Sequence, residues 1–150
     1  MMKPVMATPR TVDIDITGRC NLSCAYCYHF TSGGDVKADL PIEEWLTFFE
    51  ELGRLSVMSV TLAGGEPFFR PDLDRLIRGI VDNRMRFGLL TNGTLITKEM
   101  AAFIKSTGRC DFVQVSLDGA DARAHDRFRG KAHLTRPCGE LTSSGDTMFR

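Results

Sequence analysis

Val57-Met58-Ser59-Val60-Thr61-Leu62-Ala63 runs directly into Gly64-Gly65-Glu66-Pro67. The first seven residues are almost all apolar or β-branched, which reads as a buried strand. Paired glycines and a proline then stop it. A strand of this type needs neighbours in a sheet and helices over the sheet, so the flanking sequence decides the architecture.

Upstream, Val12, Ile14 and Ile16 alternate with Asp13 and Asp15, a period of two that predicts a first strand. Ser23 can cap a short helix through Ala25 to Tyr28. A second helix starts at Pro41 with Glu43 and Glu44 in its first turn, carries Ile42, Trp45, Leu46 and Phe49 at helical spacing, and ends near Gly53. Downstream of the opening stretch, Leu73, Leu76, Ile77, Ile80 and Val81 form another helical stripe. Phe87 to Thr91 is a short buried strand stopped by Asn92-Gly93. Thr97 caps a helix through Met100, Phe103 and Ile104, with Gly108 as its stop, and Phe112 to Leu117 is a fourth strand stopped by Asp118-Gly119. Apolar strands separated by helices predict an α/β fold with a parallel sheet and right-handed crossovers. Ligand sites in such sheets lie at the C-terminal strand ends. Every unusual cluster of this sequence falls at one: cysteines after the first strand, GGEP after the second, TNG after the third, SLDG after the fourth.

The chain has 150 residues, 43% of them hydrophobic, with 19 basic and 19 acidic side chains. That length suits one domain with a real core. Zero net charge argues against a nucleic-acid-binding surface or a polybasic membrane anchor. No apolar run approaches the roughly 20 residues of a membrane span, and Met1 to Arg10 lacks the apolar stretch of a secretory signal, so the expected compartment is the cytoplasm. Residues 131–150 show no sustained period of two or 3.6, and the expected division is a core over 1–130 followed by an irregular tail.

Three of the five cysteines, Cys20, Cys24 and Cys27, fall within one short loop. In a reducing compartment such spacing points to a metal or cluster site rather than to bridges. Three thiolates on one loop can bind three irons of a cubic cluster and leave the fourth open to an amine and a carboxylate. A structural zinc ion is the other reading and would need a fourth ligand from His29 or Cys110; a disulfide pair is a third.

Cys20-Asn21-Leu22-Ser23-Cys24-Ala25-Tyr26-Cys27 resembles the signature loop of the radical S-adenosylmethionine (radical SAM) superfamily. The resemblance covers roughly residues 11 to 130 and implies a [4Fe-4S] cluster on Cys20, Cys24 and Cys27, with Tyr26 near the cofactor adenine. Gly64-Gly65-Glu66-Pro67 is similar to the family's GGEP motif, which implies contact between this turn and the methionyl amine, Glu66 supporting the turn. Thr91-Asn92-Gly93 is similar to a pocket-floor motif, with Asn92 structural rather than ligating. The family assigns the strand end Ser116-Leu117-Asp118-Gly119 to the ribose and methionyl group of the cofactor. Alternation would set Ser116 and Asp118 on the same side, and an Asx turn is the other reading of Asp118. His125-Asp126-Arg127-Phe128-Arg129-Gly130 resembles a segment of the sulfatase-maturing and peptide-modifying subset; a cation here, Arg127 or Arg129, could pair with the cofactor carboxylate. Cys110 reads as a small semi-buried thiol, and His29 as a surface residue or a group near the cluster.

The resemblance implies a partial TIM-like barrel of the radical SAM type, and about four βα units are visible where the family has about six. It implies an oxidoreductase or maturase-like enzyme. Such an enzyme cleaves S-adenosylmethionine reductively and uses the 5′-deoxyadenosyl radical to abstract hydrogen, here from a peptide or protein. A flavodoxin or ferredoxin would donate the electron. The missing later units lead us to expect a truncated core with an uncovered fourth strand. A non-catalytic iron–sulfur or zinc-binding module is the competing expectation.

Overall fold

The structure, a computed structural model, describes residues 8–28 and 38–130. Its elements are β1 (Thr11–Asp15), α1 (Ile42–Arg54), β2 (Ser59–Ala63), a 3-10 turn (Pro67–Phe69), α2 (Leu73–Asp82), β3 (Arg86–Thr91), α3 (Lys98–Ser106), β4 (Cys110–Val115) and α4 (Ala122–Arg129). The four strands form one sheet in the order β1-β2-β3-β4, every pair parallel. This is the parallel βα architecture expected from the alternating pattern.

The register explains the core. Val12 pairs with Val60 and Ile14 with Leu62; Val60 in turn pairs with Phe87, and Leu62 with Leu89. One face of the sheet thus carries contiguous apolar rows. Trp45, Phe49 and Leu52 of α1, Leu73, Leu76, Ile77 and Ile80 of α2, and Ile104 of α3 cover them, and Phe49, Leu62, Phe87 and Leu89 lose all solvent contact. Burial of one such side chain is worth about 1.5–3 kcal/mol. The helix signals hold in detail: Thr97 Oγ1 accepts from the Met100 amide at 3.2 Å, and Gly108 has φ +61.

Three boundaries differ from the sequence reading. β2 begins at Ser59, not Val57, because the Val57 amide turns back to the Leu52 carbonyl of α1 at 3.0 Å, just after Ser56 takes a φ of 62. β4 runs from Cys110 to Val115 rather than from Phe112 to Leu117; the register shifts between Phe87 and Gly88, so pairing starts two residues early. Leu117 is 54% exposed beyond the strand. The helix expected from Ala25 to Tyr28 is instead a turn at Ala25-Tyr26, with the Cys27 amide donating to the Cys24 carbonyl at 3.1 Å, and of these four residues only Tyr28 is helical. His29, Cys138 and the tail expected over 131–150 lie outside the described residues.

Candidate functional site

The cysteine loop is built as a continuation of the sheet. Past the end of β1, the Ile16 amide donates to the Ala63 carbonyl at 3.0 Å, Gly65 to Thr17 at 2.8 Å and Glu66 to Arg19 at 2.9 Å. The two chains run so close that side chains do not fit between them. A Cβ on Gly64 would stand 2.3 Å from the Thr17 carbonyl oxygen, and one on Gly65 would stand 2.3 Å from that of Arg19. Gly64 also takes φ +129, a conformation open to glycine. The double glycine is therefore required by the cysteine loop itself. Arg70, only 5% exposed, closes the base: it donates to the carbonyl oxygens of Ile16 (2.8 Å) and Leu40 (3.2 Å) and forks onto both Asp72 oxygens at 2.8 and 2.7 Å.

Cys20, Cys24 and Cys27 are free, half-buried thiols, and all three line one cavity of about 260 Å³ at the C-terminal ends of the strands. Of the other residues singled out from sequence, Tyr26, Gly64, Gly65, Asn92 and Ser116 line it too. Burial pushes the Cys20 thiol above its ordinary pKa, opposed by the Leu22 amide; burial also raises Cys24, opposed by the nearby Arg129 cation. A metal must displace those protons, so uptake here is expected to improve with rising pH. Among the described residues no three His, Cys, Asp or Glu side chains converge tightly enough to hold one ion. A single zinc needs sulfurs about 2.3 Å from a shared centre, whereas a cubic cluster gives each thiolate its own iron. The donor set suits the cluster better. Cys110 is ruled out as a fourth zinc ligand: it opens β4 at the opposite end of the sheet and lines a separate cavity of about 270 Å³ with Phe68, Ile104 and Phe112.

Glu66 does not line the cavity and faces inward. It is fully buried, and its carboxylate accepts from the Phe68 amide (3.1 Å), the Thr91 hydroxyl (2.7 Å) and the Asn92 amide (2.7 Å). It ties the end of β2 to the end of β3. Burial raises its pKa, and those three donors act against the rise. Asn92 is correspondingly fixed, and its side chain reaches the cysteine loop at Asn21 (3.0 Å) and Cys20 (3.8 Å).

The fourth strand end joins the same cavity through α4. The Ser116 amide closes the ladder on Thr91 at 2.9 Å. The alternation that would have set Asp118 beside Ser116 stops with the strand at Val115, and the Asp118 carboxylate instead accepts from the Tyr26 hydroxyl and the Arg129 guanidinium. Both donors hold its pKa below the usual carboxylate range, Arg129 first. Arg129 and Tyr26 line the cavity, while Arg127 is exposed beside Phe128, which separates the two arginines. Asp121 caps α4 by accepting from the Ala124 amide at 2.8 Å. His125, 3% exposed, accepts from the Asp118 amide at 3.3 Å, and the Phe128 carbonyl receives the Ala25 amide at 2.9 Å. Sequence reading assigned no part to Thr91 and Asn21, although both lie inside the quoted motifs, and missed Thr94 and the buried Thr17, whose only signal was adjacency to the motifs.

Residues 14–136 match the family model described as the Radical SAM superfamily. The AdoMet-dependent heme synthase of Methanosarcina barkeri is 35% identical over 122 residues, 81% of this chain and 35% of that protein. The PqqA peptide cyclase of Rhodopseudomonas palustris is 35% identical over 127 residues, 83% of this chain and 33% of that protein. Streptococcus suis SuiB bound to S-adenosylmethionine shares the fold at a TM-score of 0.74 and 22% identity, over 85% of this chain and 29% of that one. The chain thus spans about a third of the length of these relatives. With the strand order, the placement of the cysteines and the match over most of its length in agreement, the chain belongs to the radical SAM superfamily.

Proposed function

We propose that this chain forms the cluster- and cofactor-binding part of a radical SAM enzyme that modifies a peptide or protein. The observation that carries the reading is a cavity at the strand ends that is lined both by three free thiols and by a bare glycine pair. Cys20, Cys24 and Cys27 would hold a [4Fe-4S] cluster, and S-adenosylmethionine would sit beside it. When bound, these groups supply a 5′-deoxyadenosyl radical for hydrogen abstraction from substrate carbon.

The protein's part is positioning. The Gly64-Gly65 backbone offers close approach to the methionyl amine. The Arg129 cation and the Ser116 hydroxyl, both on the cavity wall, suit the carboxylate and ribose, and Tyr26 offers a ring to the adenine. Asp118 keeps Arg129 and Tyr26 in place. A flavodoxin- or ferredoxin-type donor would deliver the electron.

A peptide substrate is supported by relatives named for peptides, such as the PqqA peptide cyclase. The heme synthase relative supports a tetrapyrrole as the second reading. Anaerobic reconstitution tests the core of the proposal. We expect about four irons per chain and dithionite-dependent 5′-deoxyadenosine, lost in Cys24→Ala. Zinc uptake without cofactor cleavage would overturn it in favour of a non-catalytic module. Deuterium transfer from labelled peptide or labelled porphyrin into 5′-deoxyadenosine separates the two substrates.

A further inference from the structure

Asn92 is held from every side, and the holding sets its direction. Its Oδ1 accepts from the Thr94 amide at 2.9 Å and from the Thr94 hydroxyl at 2.6 Å. Its Nδ2 donates to Asn21 Oδ1 at 3.0 Å and to Cys20 Sγ at 3.8 Å. The Asn21 amide nitrogen donates to Thr94 Oγ1 at 2.8 Å, which closes a ring: Asn21 to Thr94, Thr94 to Asn92, Asn92 back to Asn21. The Asn92 backbone amide is pinned separately by Glu66 at 2.7 Å. A backbone N–H can only donate, so the Asn92 atom facing the Thr94 amide must be its oxygen. The side-chain NH₂ then has one orientation, toward the cysteine loop. Cys20 Sγ receives a second N–H, from Leu22 at 3.4 Å.

We propose that the Asn21–Thr94–Asn92 ring aims the Asn92 amide at Cys20 Sγ in order to set the reduction potential of the cluster bound there, and that Asn92 is a positioning residue rather than a ligand of the cofactor. The proposal rests on the cluster reading given above. An N–H donor on a cluster thiolate binds more strongly when the sulfur carries more electron density. Reduction adds one electron from a low-potential donor and transfers no atom, so the donor favours the reduced form and raises the potential. Outer hydrogen bonds of this kind tune metal sites generally. The rigidity of the ring matters because a freely rotating amide would spend only part of its time with N–H on sulfur.

The test is an EPR-monitored redox titration of the full chain, reconstituted anaerobically with iron and sulfide. Asn92→Ala should move the midpoint to more negative potential by about three- to tenfold in the reduction equilibrium, a tenfold change being 59 mV for one electron. Thr94→Val keeps Asn92 but removes the hydroxyl of the ring; it should shift the midpoint in the same direction by less, and Thr94→Ser should restore the wild-type value. A loaded Asn92→Ala cluster at unchanged potential overturns the proposal. If that variant fails to load, equal potentials in Thr94→Val and Thr94→Ser overturn it instead. A wild-type chain that takes up no iron overturns the cluster reading, and this proposal with it.

Discussion

One methyl group on Gly65 would put carbon 2.3 Å from the Arg19 carbonyl oxygen, and neither backbone segment can retreat without breaking the bonds from Gly65 to Thr17 and from Glu66 to Arg19. Gly65→Ala is therefore expected to cost about 2 kcal/mol or more, read by denaturant unfolding, and to lower iron uptake in the same step. Single residues were unevenly legible in the sequence. The cysteines and the glycine pair stood out because their chemistry or their lack of a side chain is unusual at fixed spacing. Glu66 was singled out only as a support for its turn: that its carboxylate is fully buried depends on Thr91 and Asn92, some 25 residues away and brought alongside by strand pairing. The choice between Arg127 and Arg129 depended in the same way on how α4 docks, since residues two apart on a helix point in different directions.

α4 is the element whose role the sequence concealed most. Its residues are mostly charged or polar, yet it sits on the cysteine loop through Phe128 and Arg129, while the buried His125 accepts from the Asp118 amide. Asp118 makes that docking sensitive to acid. Its pKa in the folded chain lies below the value of about 3.9 in an unfolded one, held there by Arg129 and Tyr26. The clasp therefore adds stability above the ordinary carboxylate range, and that increment disappears as pH falls through the lowered value. Asp118→Asn should be less stable than wild type at neutral pH, with the difference shrinking toward pH 3; thermal melts across that range check it. The strands were legible to within two residues. The errors at β2 and β4 came from a positive φ at Ser56 and an irregular register at Gly88, neither of which alters hydrophobic pattern.

At the scale of the whole molecule, two arginines show which contacts hold the parts together. Arg75 meets Glu43 at 3.8 Å with both side chains more than half exposed, an ion pair worth about 0.5 kcal/mol or less. Arg70 joins the exit of β1, the approach to α1 and the start of α2 from a buried position. Arg70→Met should cost about 3 kcal/mol, because it strands two carbonyl oxygens and Asp72, while Arg75→Met should leave the unfolding midpoint almost unchanged. Equal effects from the two would show that the buried fork does not organise the fold. No helix among the described residues is long and apolar enough to cross a membrane. The bonded track of Ile16–Arg19 along Ala63–Glu66 has a further consequence. It works as a ruler: β2 measures off the residues between the last position of β1 and the first cysteine. An extra residue inserted there would leave the cysteine spacing spelled correctly, yet slide the whole loop by about 3.3 Å along its guide. The ligand motif, as a physical object, begins at the strand and not at Cys20.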